Sequence, residues 1–227
     1  MRRKRKYIYR ETLFGNEIIG ITNGLYTLQE ADNSVVDELV KKYHYSHKAT
    51  KNRFKSFLIN DNNGFMQLGY GIRPKMKHTI SNLIKDKNFC EFDRMWLSDD
   101  LPKFAESQCI SMLIEFIKIK YPQIKFIITY ADGSAGNIGT IYKATNAIYL
   151  GKIGVDFYQL PNGERVHSVS MYHRHKTRKW SVISRLYPGI KHLKNTDFQY
   201  RYLYVLDKIT LKKYNSNVGI GNKPEGK

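Results

Sequence analysis

One segment constrains the fold of this chain more than any other: KFAESQCISMLIEFIKIKY, at residues 103–121. Its apolar side chains recur at helical spacing, at Ile110, Leu113, Ile114 and Ile117. Pro122 follows at once and ends the pattern, because proline does not continue a helix. Runs typical of strands border the segment at 88–97 and 124–130, and the second is short and mainly apolar, as in a buried strand. This order of strand, long helix and strand predicts an α/β fold.

Shorter patterns on the N-terminal side predict further parts of a mixed sheet. Residues 25–29 have the composition of a strand. Asn33 or Ser34 is placed to cap a helix over VVDELVKKY, residues 35–43. Two β-prone runs around the turn DNNG, together residues 54–72, predict a β-hairpin.

The C-terminal residues 171–227 are basic and form a predicted extension of a single domain that spans residues 1–227. Within the extension, residues 174–193 favour one or two short helices, and residues 198–206 favour a final strand. The extension either completes the sheet or faces DNA, and the sequence leaves both open. Upstream, the polar and basic residues 74–87 predict an inserted loop.

The predicted order is strand, helix, hairpin, strand, helix, strand, loop, helix and strand. It is similar to the Gcn5-related acyltransferase (GNAT) architecture, a mixed central β-sheet flanked by helices. In that fold the strand, long helix, strand and short helix of the second half hold acyl-CoA. The similarity implies an α/β (α+β) chain with a GNAT-like sheet and a basic C-terminal extension.

The charge of the chain favours a polyanionic partner. Its 38 Lys and Arg residues against 20 Asp and Glu give a net charge of +18 and an isoelectric point near 9.7. Nucleic acid is the commonest polyanion, although association with a ribosome or membrane surface and simple solubility stay open. The charge is concentrated at residues 1–6, 41–55 and 173–180. The 17 tyrosines either stack on unpaired bases or fill the core.

Other features predict a cytoplasmic protein. No run approaches the roughly 18 apolar residues that span a bilayer. The N-terminal segment MRRKRKYIYR lacks the apolar region of a secretory signal. Cys90 and Cys109 are predicted to be free thiols, with one disulfide as the alternative.

A glycine-rich loop in YADGSAGNIGTIYKATNAIYLG, residues 130–151, is the first candidate for an active site. Asp132 ends the preceding strand, where a carboxylate acts as a general base, a metal ligand or a helix cap. Ser134 presents a hydroxyl group there or only helps to form the turn. Three glycines allow tight turns and close approach to a ligand: Gly133, Gly136 and Gly139.

Tyr142 and two histidines are further candidates. Tyr142 follows the loop on a predicted short helix, where a phenol either donates a proton to a leaving group such as a thiolate or belongs to the core. His44 and His47 would share a helical face if the helix reached that far. With a carboxylate such as Asp132 they would bind a divalent metal; solvated, DNA-facing histidines are the alternative.

The segment EFDRMWLSDDLPKFAES, residues 91–107, combines a strand with an acidic turn and the start of a helix. Arg94 binds a phosphate group or pairs with Glu91 or Asp93. The amides at the helix start, together with Ser107, are placed to take a phosphate. The segment lacks the glycine-rich pyrophosphate loop of an ordinary acyl-CoA enzyme.

Taken together, HYS at 44–46, the segment 91–107 and the loop 130–151 resemble the Mom family of bacteriophage DNA-modification proteins. The similarity runs over residues 30–205 and includes the tail pattern RHKTRKW…FQYRYLYVL. It implies a divergent GNAT fold that converts adenine in phage DNA to an N6-carbamoylmethyl (acetamido) derivative, which protects the DNA from host restriction. It also implies double-stranded DNA as partner, and acetyl-CoA or a related donor and iron as cofactors.

The resemblance places His44 and Tyr45 in a His-Tyr motif, Arg94 in a cofactor-binding strand, Asp132 in a Tyr-Ala-Asp loop and Tyr142 after Gly-Thr-Ile. With the residues above, the predicted set is Asp132, Tyr142, His44 and Tyr45 for catalysis, Arg94, Ser107 and Ser134 for cofactor binding, and His44 with Asp132 for metal. A conventional acetyl-CoA-dependent N-acetyltransferase and a non-catalytic basic DNA-binding phage protein stay open, as do the monomer and the homodimer.

Overall fold

The computed structural model describes residues 7–11, 17–21, 26–71 and 80–218. The strands are β1 (Tyr7–Glu11), β2 (Glu17–Ile21), β3 (Thr27–Ala31), β4 (Arg53–Ile59), β5 (Gly64–Gly69), β6 (Phe89–Leu97), β7 (Phe126–Asp132), β8 (Ile148–Gln159), β9 (Arg165–His167) and β10 (Lys191–Val205). The helices are α1 (Asn33–Tyr43), α2 (Ala105–Lys120), α3 (Thr140–Ala144), α4 (Ser168–His175), α5 (Trp180–Leu186) and α6 (Lys208–Val218). A 3-10 turn, Gly133–Ala135, follows β7.

The strands of the described ranges form one sheet in the order β1-β2-β3-β4-β5-β6-β7-β10-β8-β9. Neighbouring strands from β1 to β6 are antiparallel, whereas β6 and β7 are parallel and α2 connects them. The predicted hairpin is confirmed as β4 and β5, whose register ends at Ile59 opposite Gly64. The mixed sheet flanked by helices is therefore confirmed.

Two helices cover opposite faces of this sheet. Phe57 of β4 packs edge-on against Phe116 of α2, with ring centroids 5.1 Å apart. Phe65 of β5 packs against Val36 of α1. Phe57 is paired with Met66, the neighbour of Phe65, so Phe57 and Phe65 point to opposite faces.

Helix α1 begins earlier than the sequence predicts, and neither predicted cap is used. The N-cap residue is Asp32, and its side chain makes no capping hydrogen bond. The Asn33 side chain instead accepts a hydrogen bond of 2.6 Å from Ser56 Oγ on β4. Asn33 therefore contacts the sheet and does not cap the helix.

In the C-terminal part of the chain, helices and strands cover more residues than predicted. The helices of this part are α4, which already starts at Ser168, α5, and α6, which follows the final strand and was not predicted. The final strand β10 begins at Lys191. In the sheet, β10 lies between β7 and β8. Of the predicted loop at 74–87, residues 80–87 are described and consist mainly of turns. Residues 74–79 and the basic cluster 1–6 lie outside the described residues.

The chain divides into two compact units. The first unit comprises the described residues up to 130 with 140–150 and 202–218, and the second comprises 131–139 and 151–201. A core cluster of the first unit consists of Ile84, Phe89, Phe126, Ile128, Leu203 and Tyr214. The core of the second consists of Tyr158, Leu160, Val166, Met171, Ile183 and Ile190.

The two cysteines are free and buried, as predicted. Burial raises the pKa of both thiols, that of Cys109 to about 12, so both stay protonated and unreactive at neutral pH. None of the helices in the described ranges has the length and apolar character needed to cross a membrane.

Candidate active site

The parallel strands β6 and β7 separate within the first unit. Their register pairs run from Phe89 opposite Phe126 to Phe92 opposite Thr129. Strand β6 continues for five more residues, to Leu97. The Thr129 hydroxyl stabilises the last pair by donating a 3.1 Å hydrogen bond to the Phe92 carbonyl. Beyond this pair, the register with β7 ends while β6 stays paired with β5 as far as Leu97.

Tyr142 of α3 lies at the point where these strands separate. Its ring meets Phe92 edge-on at 6.3 Å and Tyr202 at 5.4 Å between centroids. Its hydroxyl is hydrogen-bonded to the Thr129 side chain. Burial raises the pKa of Tyr142, and the Thr129 hydrogen bond acts in the opposite direction. Tyr142 is therefore a protonated phenol at neutral pH, a state that suits a proton donor and not a base.

A β-bulge in β6 lies directly beside this point. Gln67 of β5 is paired with Arg94 and the next residue, Leu68, with Phe92, so Asp93 is the extra residue of β6. Gln67 and Leu68 are consecutive and face opposite sides of the sheet. The bulge thus sets Arg94 and Phe92 on opposite faces of β6.

Two carboxyl groups, Glu91 and Asp93, lie together at the bulge and are called the carboxyl pair below. Glycines of β5 and its end make room for them: a Cβ atom at Gly69 would lie 2.1 Å from Asp93 Oδ2, and one at Gly71 3.2 Å from Glu91 Oε2. Burial and the neighbouring Glu91 raise the pKa of Asp93 to about 8, although Arg94 and a hydrogen bond with Thr50 lower it. The pair therefore holds a proton near neutral pH.

We expect Gly69→Ala to destabilise the protein by about 1–3 kcal/mol, because overpacking forces neighbouring groups to shift. The new Cβ would also lie 2.7 Å from the Asn52 carbonyl, which is backbone and cannot simply rotate away. Chemical denaturation would measure the loss. Wild-type stability of this variant would contradict the close packing of Asp93 against Gly69, and Gly69→Ala with Asp93→Gly should recover part of any loss.

The structure brings His44, Tyr45 and Arg94 of the predicted set together in the first unit. The His44 ring lies 4.3 Å from the exposed Tyr45 ring, between centroids. His44 Nδ1 accepts a 3.1 Å hydrogen bond from the Ser46 amide and lies 2.8 Å from Ser46 Oγ. Burial, together with the charges of Arg94 and His47, lowers the pKa of His44 to about 4. His44 is therefore a neutral imidazole at neutral pH.

Arg94 is held by main-chain groups and does not form the ion pair considered for it. Its Nη1 donates to the Asp93 carbonyl at 2.7 Å, and its Nε donates to the Lys48 carbonyl at 3.3 Å. These contacts orient the guanidinium group while leaving donor groups for an anion.

The two histidines do not share a helical face, because α1 ends at Tyr43. His44 has extended backbone and His47 a φ of +48°, and His47 Nδ1 lies 2.8 Å from the Lys41 carbonyl. Within the described ranges, no group of three or more His, Cys, Asp or Glu side chains is placed to hold a metal ion. The described residues therefore supply no three-ligand set of the kind that catalytic iron usually takes.

Asp132 and Ser134 lie together in the second unit. Asp132 Oδ1 accepts hydrogen bonds from the Ser134 amide at 3.0 Å and the Ser134 hydroxyl at 2.6 Å, and so caps the 3-10 turn. A Cβ at Gly133 would lie 2.4 Å from the Phe198 carbonyl, so this glycine is required by close approach of β10. The local structure is that of a capped turn, the structural role considered for these residues.

Ser107 lies in the first turn of α2, where its hydroxyl donates to the Phe104 carbonyl at 2.9 Å. The preceding segment carries Asp99 and Asp100, two carboxylates that would repel a pyrophosphate. Residues 98–104 therefore do not fit the pyrophosphate of an acyl-CoA donor.

Sequence reasoning missed the carboxyl pair and the polar network that continues from it. Thr50 Oγ1 donates to Gln67 Oε1 at 3.1 Å, and Gln67 Nε2 donates to Asp37 Oδ1 at 3.1 Å and to Ser56 Oγ at 3.2 Å. Gln67 and Ser56 are almost completely buried. The available signal was the motif Gly69-Tyr70-Gly71 opposite a strand with acids at alternate positions.

The fold and the site define an α/β protein whose mixed sheet separates at a buried, protonated tyrosine. A profile of the Mom protein family matches residues 25–220, and the chain belongs to this family. It is 29% identical over 185 residues to the methylcarbamoylase Mom of Escherichia phage Mu, with 79% of this chain and 75% of the phage Mu protein covered.

Solved structures give a weaker similarity. RimL, a ribosomal L7/L12 alpha-N-protein acetyltransferase, is 13% identical with a TM-score of 0.44, and the match covers 81% of this chain and 95% of RimL. NAA60 of Arabidopsis thaliana, solved with acetyl-CoA, is 7% identical with a TM-score of 0.45, over 79% of this chain and 99% of NAA60.

Proposed function

We propose that this protein is a DNA-modifying transferase that converts adenine in phage DNA to its N6-carbamoylmethyl derivative and so protects the DNA from host restriction. Membership of the Mom family and the similarity to a phage methylcarbamoylase support this proposal. The observation that carries it is the protonated hydroxyl of Tyr142, held where β6 and β7 separate.

The reaction replaces one hydrogen of the adenine amino group. With a donor X–CH2–C(=O)NH2, the N6–C bond forms, the C–X bond breaks and HX is the second product. Tyr142 gives its proton to X as this bond breaks, and the proton released from N6 restores the phenol. Because the N6 lone pair is delocalised into the ring, the donor carbon must be strongly electrophilic.

The donor class follows from the same balance. A thiolate is a suitable leaving group X. A thiol-based donor related to acetyl-CoA therefore stays the proposed class of donor. No step here requires the pyrophosphate of coenzyme A. Plain acyl transfer from acetyl-CoA would instead attach the carbonyl carbon and give N6-acetyladenine. Iron is a further prediction from the family resemblance, and no step passes through it.

The other predicted residues receive roles within this proposal. An adenine amino group inside a duplex is out of reach, so the base must leave the stack. Tyr45, with its ring 59% exposed, is suited to stack on that base, and neutral His44 beside it offers a hydrogen bond. Arg94 binds an anionic group of donor or DNA. Asp132 keeps its predicted role in catalysis or metal binding, and Ser134 its predicted role in cofactor binding.

The proposal predicts a new nucleoside in plasmid DNA from cells that express this protein. Mass spectrometry of the digested DNA should detect an adenine nucleoside heavier by a carbamoylmethyl group, absent from cells that carry an empty vector. A nucleoside heavier by an acetyl group would overturn the carbamoylmethyl reaction in favour of plain acyl transfer. Unmodified DNA, with folded protein and supplied iron, would reject the proposed function.

A further inference from the structure

The second unit contains a long segment whose charged side chains are all positive. Residues 165–196 contain eight Lys and Arg residues and no Asp or Glu. Two of the eight are neutralised by acids outside this range: Arg165 by Asp197, and Arg174 by Glu164 at 2.7 Å. The other six have no ion pair among the described residues: Lys176, Arg178, Lys179, Arg185, Lys191 and Lys194. All six are exposed.

Three aromatic rings lie nearly parallel within this basic surface. The rings of Tyr158 and His192 are 4.7 Å apart with 16° between their planes. Trp180 lies 6.0 Å from His192 and 6.4 Å from Tyr158, at 19° and 12°. Tyr158 is buried, whereas Trp180 as a residue is 47% exposed, so Trp180 is held against the cluster and still reaches solvent.

Helix α5, which begins with Trp180, uses little of its surface for packing. Ile183 is its buried residue and joins the core of the second unit. Three other apolar side chains stay exposed: Trp180, Val182 and Leu186, at 47%, 39% and 52%. Apolar exposure of this extent next to unpaired cations is typical of a binding surface.

We propose that the second unit holds DNA, with an unpaired base stacked on Trp180 and the neighbouring phosphates bound by Lys176, Arg178 and Lys179. The unpaired cations favour a polyanionic partner. The ordered indole ring favours a partner with a flat base that can stack on it, which a phosphate group alone lacks. The inference rests on the proposed function in taking DNA as the substrate. It goes further by placing an unpaired base on Trp180, a residue that is not part of the candidate site around Tyr142.

The stacking contact can be tested with two labelled duplexes, one containing a thymine opposite an abasic site and the other fully paired, because thymine has no amino group and is no substrate of the proposed reaction. We expect Trp180→Ala to weaken binding of the duplex with the unpaired thymine about tenfold by fluorescence anisotropy, and binding of the paired duplex much less. Trp180→Tyr should retain most of the affinity, because a phenol ring also stacks. Far-ultraviolet circular dichroism would confirm that the variants are folded.

Intrinsic fluorescence gives an independent measurement, because the chain has two tryptophans, Trp96 and Trp180. The duplex with the unpaired base should quench the wild type, and Trp180→Phe should abolish the quenching. Equal affinity of wild type and Trp180→Ala for both duplexes would overturn the stacking contact. Tighter binding of an RNA of the same sequence, or of anionic vesicles in preference to DNA, would overturn DNA as the occupant.

The phosphate contacts require a matched pair of charge variants. We expect Lys176→Gln, Arg178→Gln and Lys179→Gln together to reduce the slope of log K against log salt by about 3, since each phosphate contact contributes roughly 0.9. The control replaces three exposed lysines of α6 in the first unit: Lys208, Lys212 and Lys213. Equal slopes for the two triple variants would contradict a specific role for the second unit.

These binding measurements do not depend on product formation. If wild-type protein modifies DNA while Trp180→Ala binds both duplexes normally, this inference fails and the proposed function stands. If Trp180→Ala loses binding but no modified nucleoside forms in the wild type, the proposed function fails and the DNA surface stands.

Discussion

Replacement of Tyr142 by phenylalanine is expected to lower the rate of adenine modification by about 10²–10⁴-fold, the usual range for loss of a general acid. The variant keeps the ring that packs against Phe92 and Tyr202 and loses only the hydroxyl. Thr129 keeps its hydrogen bond to the Phe92 carbonyl, so the last pair of β6 and β7 should stay closed. The measurement is the rate at which modified nucleoside accumulates after induction, relative to the amount of folded protein.

Tyr204→Phe is the matched control for this prediction. Tyr204 is also buried, and its hydroxyl lies 2.5 Å from Thr145 Oγ1, so this change also removes one internal hydrogen bond. We expect Tyr204→Phe to modify DNA at nearly the wild-type rate. Equal losses in both variants would indicate a structural effect, and a normal rate in Tyr142→Phe would contradict the proton-donor role.

The elements that the sequence predicted well are those whose pattern is local. Helix α2 was predicted from its apolar spacing and Pro122, and the hairpin from the turn between Ile59 and Gly64. Strand β10 was predicted in part only, because the residues before Phe198 are polar and have no apolar alternation. Its position between β7 and β8 depends on long-range pairing, which no local pattern records.

The sequence motifs suggested individual residues of the candidate site but not their arrangement. Tyr142 was recognised from its motif, yet its contact with Thr129 depends on how α3 packs on the end of β7. The bulge at Asp93 was not predicted, since one extra residue in a strand changes no composition. The condition under which His44 and His47 would share a helical face is not met, because α1 ends at Tyr43.

The carboxyl pair should make the stability of the protein depend on pH. Asp93→Asn is expected to stabilise the protein at alkaline pH and much less in acid. In the folded protein, burial and Glu91 raise the pKa of Asp93 to about 8, above the ordinary value of 3.8. The native state therefore keeps a proton that the unfolded chain releases, and the stability contributed by Asp93 falls as pH rises from about 4 to 8. An asparagine carries no proton that titrates in this range, so this loss disappears.

We expect the stability of Asp93→Asn relative to wild type to increase by on the order of 3 kcal/mol between about pH 5 and pH 8, measured by urea denaturation. Asp207→Asn is a control of opposite sign. Burial works against ionisation there, but hydrogen bonds from Thr210 and the nearby Lys125 outweigh it and lower the pKa of Asp207. That variant should lose stability above the unfolded pKa and recover it in acid. A difference between Asp93→Asn and wild type that does not change with pH would mean that Asp93 is ionised in the folded protein, and the carboxyl pair would then not hold a proton at the bulge of β6.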